Sequence, residues 1–345
     1  MHNLRSLGHL TRILSFTAFT VILFAAARPA DAQYRVLDKW KLDDAGGWDY
    51  LLIDSPAHRL YITRGDHVDV VDATSGKLTG TLPALHGTHG IALNPDGKLG
   101  YISDGGGNAV VVFDRSTLAT VATIPVGTNP DCILWEPATQ TVWTFNGRSH
   151  DISVIDPAAQ KVVATIPVPG KPEFAVSDGK GTVFNNIEDK NELIRIDARA
   201  HKITAEWPSC ESPSGLALDN EGHRLFAVCD GKKMGIVDAN TGKTITNASI
   251  GDGPDAAAWS ATHKLAFASC GEGVLSVVDA ASADYKTIQT LPTQRSARTM
   301  TYDPATDRIY LVAAEFGPRP AATPENPRPR PPMIPGTFTI LVVGR

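Results

Sequence analysis

Polar side chains recur at one position of the sequence, about 40 residues apart, at nearly the same distance before an apolar, aromatic stretch. Four of the seven are carboxylic acids, one is an imidazole and one is a guanidinium. Groups of these types bind metal ions, hold charged ligands and transfer protons. Around one axis they would carry a formal charge of minus 3 with the histidine neutral. The seven positions are Asp49, His89, Asp131, Glu173, Ser214, Asp255 and Arg298.

The acidic positions would repel one another if the fold brought them together. Two like charges about 8 Å apart, at an effective dielectric constant near 20, repel by about 2 kcal/mol. Compensation could come from Arg298 and Arg64, from a bound divalent cation, from a cationic ligand, or from raised carboxyl pKa values. The alternative is that the acids cap backbone N–H groups in loops, as Asp commonly does. Arg64 and Asp104, which follow the second strands of their units, complete the candidate ligand-binding residues.

The signature motifs of several enzyme classes do not occur in the sequence. GxSxG, HExxH, GxxxxGK and GxGxxG are all absent, so the sequence gives no motif support for a nucleophile elbow, a zincin site, a P-loop or a dinucleotide-binding site. A CxxCH haem-attachment motif is absent as well. Catalytic residues and cofactor therefore stay unassigned, apart from the divalent cation that the acidic ring could hold.

A repeat of about 41 residues organises the chain. The apolar, aromatic stretch occurs seven times, and each unit holds four short runs rich in Val, Ile, Thr and aromatic residues. Turns of Gly, Pro and Asp separate these runs, as antiparallel strands require. Units of this length with four strands predict an all-β, seven-bladed β-propeller. The third strand ends in an Asp that we expect to cap a turn, at Asp72, Asp114, Asp156, Asp197, Asp238 and Asp279.

The two ends of the chain are predicted to share the last blade. Residues 338–343 read as its third strand, and no fourth strand follows them. Residues 34–42 alternate polar and apolar side chains and have no entry strand of their own, so we expect them to pair with residues 338–343. The last blade also contains a Pro-rich insertion, residues 317–337, with eight prolines. We expect this insertion to be a binding loop that partly roofs the channel mouth.

Several segments have a recognisable repeat sequence: LYIT at 60–63, GYIS at 100–103, VVDATSGK at 70–77, GIALNPDGK at 90–98 and IDPAAQKVVATIPV at 155–168. They resemble the YVTN-repeat, YncE-like family of seven-bladed propellers, and the resemblance covers residues 34–345. It implies a fold that serves binding proteins, enzymes and cofactor-bearing domains alike, so the function depends on the site.

Two functions are consistent with this resemblance. The first is a binding module that holds a small molecule, a peptide or a protein of the cell envelope at its channel mouth. The second is a hydrolase, because similar propellers include lactonases that use acidic, His and Arg residues on the same face. In that case Glu173 or Asp131 would act as general base, His89 would shuttle the proton, and Arg298 would stabilise the oxyanion.

Residues 1–32 have the pattern of a secretory leader. An uncharged, mostly apolar run at 13–27 precedes a small-x-small cleavage site at 30–32, and it is shorter than the roughly 20 residues that span a membrane. We expect residues 33–345 to be a single domain, monomeric, without a membrane span, and periplasmic or secreted. Cleavage leaves a formal charge of minus 7, which argues against nucleic acid as a partner.

Four cysteines, Cys132, Cys210, Cys229 and Cys270, allow three pairings in an exported chain. Cys229 and Cys270 hold equivalent places in neighbouring units. Their Cα atoms should be about 10 Å apart, beyond the roughly 7 Å limit for a disulfide. Cys210, in the loop that enters the unit of Cys229, is the expected partner.

Overall fold

The runs of Val, Ile, Thr and aromatic residues form seven antiparallel sheets of four strands each. This arrangement confirms the predicted all-β, seven-bladed propeller. The computed structural model describes residues 2, 33–42, 46–323, 327 and 329–345. The predicted secretory leader, residues 1–32, lies outside the described residues apart from residue 2. Within the described ranges, no helix has the length and hydrophobicity needed to cross a membrane.

In blades 1 to 6 the four strands follow one another in chain order, from the innermost strand to the outermost. Blade 7 takes its first three strands from the C-terminal part of the chain and its fourth from the N-terminal part. The strands are, for blade 1, β2 (Leu51–Asp54), β3 (Arg59–Thr63), β4 (Val68–Asp72) and β5 (Leu78–Leu82); for blade 2, β6 (Thr88–Leu93), β7 (Leu99–Asp104), β8 (Ala109–Asp114) and β9 (Thr120–Pro125); for blade 3, β10 (Pro130–Glu136), β11 (Thr141–Asn146), β12 (Asp151–Asp156) and β13 (Lys161–Pro167); for blade 4, β14 (Pro172–Ser177), β15 (Thr182–Ile187), β16 (Glu192–Asp197) and β17 (Lys202–Pro208); for blade 5, β18 (Leu216–Asp219), β19 (Arg224–Cys229), β20 (Lys233–Asp238) and β21 (Thr244–Ser249); for blade 6, β22 (Pro254–Ser260), β23 (Leu265–Cys270), β24 (Val274–Asp279) and β25 (Thr287–Pro292); and for blade 7, β26 (Met300–Asp303), β27 (Arg308–Ala313), β28 (Thr339–Gly344) and β1 (Arg35–Lys41).

The core lies between neighbouring blades. Every residue of the middle strand β23 is buried, because blades cover both of its faces. The outermost strand β17 instead alternates exposed and half-buried residues, as a sheet edge in water does. Aromatic rings fill the spaces between sheets: Phe226 stacks on Trp259 with ring centroids 5.1 Å apart, and Phe267 lies 5.6 Å from Tyr302.

The N-terminal strand closes the ring as predicted. β1 pairs with β28 from Arg35 opposite Gly344 to Lys41 opposite Thr339, with one bulge at Leu37. Just before β1, the ring of Tyr34 packs edge-on against Phe267 of blade 6 at 5.1 Å. The first and last segments of the chain therefore hold the same blade together.

The recurrent Asp at the end of the third strand in blades 1 to 6 caps a turn, which confirms that prediction. The Asp72 carboxylate accepts hydrogen bonds from the backbone N–H groups of Thr74 and Ser75. Asp114 does the same for Ser116 and Thr117. The Ser116 hydroxyl also donates to Asp114, and this bond together with the backbone bonds favours the ionised form and lowers the pKa of Asp114 to about 2.

A disulfide and a β-bridge stabilise loops on the propeller. Cys210 and Cys229 form a disulfide with their Cα atoms 5.9 Å apart, which confirms the expected pairing. Cys132 and Cys270 are free and buried. The Pro-rich loop begins as a short antiparallel bridge, in which Gly317 N donates to Pro332 O and Ile334 N donates to Glu315 O, both at 2.8 Å.

Candidate functional site

Irregular pairing at the start of the innermost strands places the ring residues at the channel mouth. The register shifts between Thr88 and Ile91 of β6, and at the matching places of β10, β14 and β22. Such a bulge leaves residues unpaired and turns their side chains away from the regular alternation. The residues it releases include His89, Asp131, Glu173 and Asp255.

Side chains of the second strands anchor the ring backbone from the neighbouring blade. Thr63 Oγ1 of blade 1 donates to the carbonyl of His89 in blade 2 at 2.8 Å. Ser103 of blade 2 likewise bonds the Asp131 carbonyl of blade 3. Asn186 and Ser269 repeat this contact, to the carbonyls of Ser214 and Arg298. All four donors are fully buried, so they fix the ring residues with bonds that water does not weaken.

The imidazole of His89 lies between two carboxylates. Its Nδ1 is 2.6 Å from Asp49 Oδ2 and 3.7 Å from Asp131 Oδ1. Burial alone would lower the pKa of His89, but the hydrogen bond to Asp49 and the nearby negative charges outweigh it and raise the pKa to about 9. At neutral pH this imidazole is therefore protonated and shared by two acids.

The opposite edge of the His89 ring is fixed by a close approach to Gly105. A Cβ added at Gly105 would lie 2.7 Å from both Cδ2 and Nε2 of His89. Only glycine fits here, and the contact leaves Nδ1 as the nitrogen that faces the carboxylates. One ligand atom from each of Asp49, His89 and Asp131 then lies within 4.8 Å of the other two, a spacing at which a metal ion could be held.

Asp131 and Glu173 are the least compensated acids of the ring. Asp131 is 8% exposed, and among the described residues its carboxylate accepts no hydrogen bond. Glu173 Oε2 lies 3.1 Å from Lys171 Nζ, which also pairs with Glu188. Burial first, and then the charge of the other acids, raises the pKa of both carboxyls despite the nearby cations.

The remaining ring positions form an ion pair on the other side of the channel. Arg298 Nη1 lies 2.5 Å from Asp255 Oδ2, and Ser214 Oγ donates to Asp255 Oδ1 at 3.0 Å. Burial raises the pKa of Asp255 even though Arg298 is its partner. Arg298 keeps 46% of its side chain exposed, so it can still meet a ligand.

An aromatic contact crosses the channel one residue further along the strands. Tyr50 of blade 1 follows Asp49, and Phe174 of blade 4 follows Glu173. Their ring centroids are 5.3 Å apart with an edge-on angle of 67°. Burial raises the pKa of Tyr50 far above its usual value, and the charges of Asp131 and Glu173 add to the effect. The two rings give the mouth an apolar floor.

Two of the sequence-predicted residues are engaged outside this arrangement. Arg64 is 1% exposed, donates to Asp69 Oδ2 at 3.1 Å, and stacks over the Phe338 ring with its Cζ 3.6 Å from the centroid. Asp104 is also buried and accepts the backbone N–H of His86 at 2.6 Å. The guanidinium of Arg64 also donates to the carbonyls of Gly46 and Gly47, so both Arg64 and Asp104 stabilise loops.

Sequence reasoning missed Lys171 and Glu188, which join the mouth through Glu173. It also passed over a proline that directly precedes the ring acid in blades 3, 4 and 6, at Pro130, Pro172 and Pro254. Proline is confined to bulges and edges of sheets, so this recurrence could have indicated the irregular pairing. With His89 protonated, five carboxyl groups and three cations give the mouth a formal charge of minus 2.

Comparison with known proteins supports the fold and goes no further. No family model matches the sequence. No curated protein matches it either. Among solved structures, a chain of hydrazine synthase from Kuenenia stuttgartiensis superposes with a TM-score of 0.68, covering 78% of this chain and 93% of that chain. The two sequences are 18% identical, so the likeness concerns the propeller and not the activity of that protein.

Proposed function

We propose that this chain is an exported binding protein of the YVTN-repeat type, and that it holds a positively charged ligand at the channel mouth. The repeat motifs and the secretory pattern of residues 1–32 support the family and the export. The seven-bladed fold supports a binding module, because its loops gather on one face around a channel. The acidic ring supplies the charge preference.

The carboxylate of Asp131 carries this proposal. It is buried, it accepts no hydrogen bond among the described residues, and its ion-pair partner His89 is already bonded to Asp49. A buried carboxylate without full compensation costs free energy, which a cation in the mouth would recover. A cation bound at the mouth would therefore stabilise the ionised form of Asp131.

The form of ligand that fits these donors is a divalent cation held by Asp49, His89 Nδ1 and Asp131. Imidazole nitrogen and carboxylate oxygens are ligands that Zn²⁺ and Mn²⁺ accept. The ion would have to displace the proton of His89, whose pKa is about 9. Binding should therefore release a proton and strengthen as the pH rises from 6 to 8.

Isothermal titration with Zn²⁺ and Mn²⁺ tests this at both pH values, in two buffers of different ionisation enthalpy. We expect saturable binding at pH 8, weaker binding at pH 6, and about one proton released per ion. Asp131→Asn should weaken binding and leave the fold at least as stable. Asp252→Asn, at an exposed acid outside the ring, is the matched control. Undiminished binding by Asp131→Asn, or no binding of either ion, contradicts the proposal.

A hydrolase is the second candidate, and the raised pKa of Glu173 favours it. A carboxyl whose pKa is raised by burial can take and return protons near neutral pH. Arg298 lies on the same mouth and could stabilise an oxyanion. A panel of lactones in a pH-stat assay tests this candidate. Turnover that Glu173→Gln abolishes would establish it, and turnover that Glu173→Gln leaves unchanged would exclude Glu173 as the base.

A further inference from the structure

A cleft of about 1350 Å³ adjoins the channel mouth at blades 6, 7 and 1. One wall is the loop before β2, at residues 46–48, and another is the loop before β26, at residues 294–298. The Pro-rich loop supplies the rest through residues on both of its arms. Arg298 lines this cleft and also pairs with Asp255 of the acidic ring, so the two sites share one residue.

The charge of the cleft is opposite to that of the mouth. Four arginines line it, and Glu315 is the one acid among the lining residues. Arg298 pairs with Asp255, whereas Arg295, Arg319 and Arg330 make no salt bridge and no side-chain hydrogen bond with the described residues. Guanidinium groups present a rigid fork of donors that matches carboxylate and phosphate oxygens. The four arginines are Arg295, Arg298, Arg319 and Arg330.

Most of the other lining side chains are apolar, and Gln294 and Ser296 are polar. Trp48 lies 5.9 Å from the ring of Phe316, and Phe316 and Ile334 are 44% and 41% exposed. A ligand with an apolar body would remove this exposed surface from water. The Trp48 Nε1–H is buried and has no acceptor among the described residues.

The Pro-rich loop, which carries Arg319, Arg330 and Ile334, is held in place at its base. Phe316 and Met333 form a β-bridge, and Gly317 N donates to Pro332 O. Proline fixes φ, so a Pro-rich arm loses little conformational entropy when it contacts a ligand. Arg319 and Arg330 lie on the two arms of this loop and thus face the cleft from a constrained backbone.

We propose that the arginine-lined cleft binds a small organic anion, with a carboxylate or phosphate head held by the arginines and a flat apolar body against Trp48 and Phe316. Such a pocket combines an apolar wall with a few convergent polar groups, as small-molecule sites do. The proposal does not depend on a cation in the channel mouth.

Titration calorimetry with three probes of one shape tests the inference: naphthylacetate, naphthyl phosphate and the neutral naphthylacetamide. We expect both anions, or one of them, to bind at least about tenfold more tightly than the amide, because charge-assisted bonds to arginine are lost with the amide. Equal affinity for the amide and both anions would overturn the proposal. Preference for one anion identifies the head group.

Variants locate the binding. Arg319→Ala/Arg330→Ala changes two exposed loop residues and should weaken the anionic probe by about tenfold or more, and Arg295→Ala should weaken it too. Arg148→Ala, at an exposed arginine outside the cleft, is the matched control. Unchanged affinity in the double variant would overturn the proposal. Titration of the same proteins with Mn²⁺ distinguishes the two proposals. Absence of Mn²⁺ binding would contradict the proposed cation site and would leave the proposed anion site unaffected.

Discussion

Protonated His89 should make the stability of the protein depend on pH. Its pKa is raised from 6.5 to about 9 by Asp49 and the neighbouring acids, against the effect of burial. A pKa change of this size corresponds to about 3 kcal/mol of stability linked to protonation. Because 26% of the side chain is exposed, solvent screening reduces this, and we expect about 2 kcal/mol. The contribution is complete below pH 6.5 and is lost as the pH rises through 9.

Urea unfolding followed by tryptophan fluorescence, between pH 6 and 9.5, measures this contribution. His89→Asn should be about 2 kcal/mol less stable than wild type at pH 6 and nearly equal to it at pH 9.5. His223→Asn, at an exposed histidine, should follow the wild type throughout. An NMR titration of the His89 imidazole gives its pKa directly. A midpoint at or below 6.5, or equal pH slopes for wild type and His89→Asn, would refute the electrostatic argument.

Three other variants follow from the geometry. Glu173→Gln should raise the melting temperature at pH 8, where the wild-type carboxyl ionises against the burial that raises its pKa, and should change it little at pH 5; a lower melting temperature at pH 8 would mean that the carboxylate is structural. Cys210→Ser/Cys229→Ser opens a loop of 19 residues and should lower the free energy of unfolding by about 3 kcal/mol, measured in urea; an unchanged midpoint contradicts this. Ser103→Ala removes the donor to the Asp131 carbonyl and should cost about 1 to 3 kcal/mol by the same method, whereas a neutral effect would mean that the bond contributes nothing.

The fold could be predicted from the sequence because one pattern recurs seven times. A single aromatic stretch such as LYIT is ambiguous, but seven copies with four strand-like runs per unit have few solutions other than a propeller. The closing strand could be predicted by counting strands, because the last blade had three strands at the C-terminal end and residues 34–42 formed an additional strand at the N-terminal end. The disulfide followed from the same register, which kept Cys229 and Cys270 in separate blades.

The site was only partly predictable, because register gives a residue's place along a strand and not the direction of its side chain. The aligned positions included His89, Asp131 and Glu173, which do meet at the mouth. The ion pair between Lys171 and Glu173 could not be predicted from the sequence, because it depends on the conformation of the loop before β14. Arg64 was assigned by position too, yet its guanidinium lies against Phe338 and Asp69.

Four buried polar residues in the aromatic stretches did carry a signal that periodicity alone does not reveal. Thr63, Ser103, Asn186 and Ser269 hold the fourth position of a stretch that is otherwise mostly apolar. A buried hydroxyl or amide must find a partner, and here the partner belongs to the next blade. The sequence could predict that each side chain has a hydrogen-bond partner. It could not identify that partner, because a backbone carbonyl is present at every residue.

The pairing of β1 with β28 sets the order in which the molecule can be completed. A ribosome delivers β1 before the other strands of the propeller and β28 after them, so β1 has no strand partner until β28 has emerged. Tyr34 N must then find Gln289, 255 residues away, which makes sealing a slow and late event. After sealing, β1 is still the open outer edge of blade 7, and its charged residues Arg35, Asp38, Lys39 and Lys41 discourage pairing with another chain. The strand that closes the ring is thus rich in charged residues, which keep it soluble before it pairs with β28.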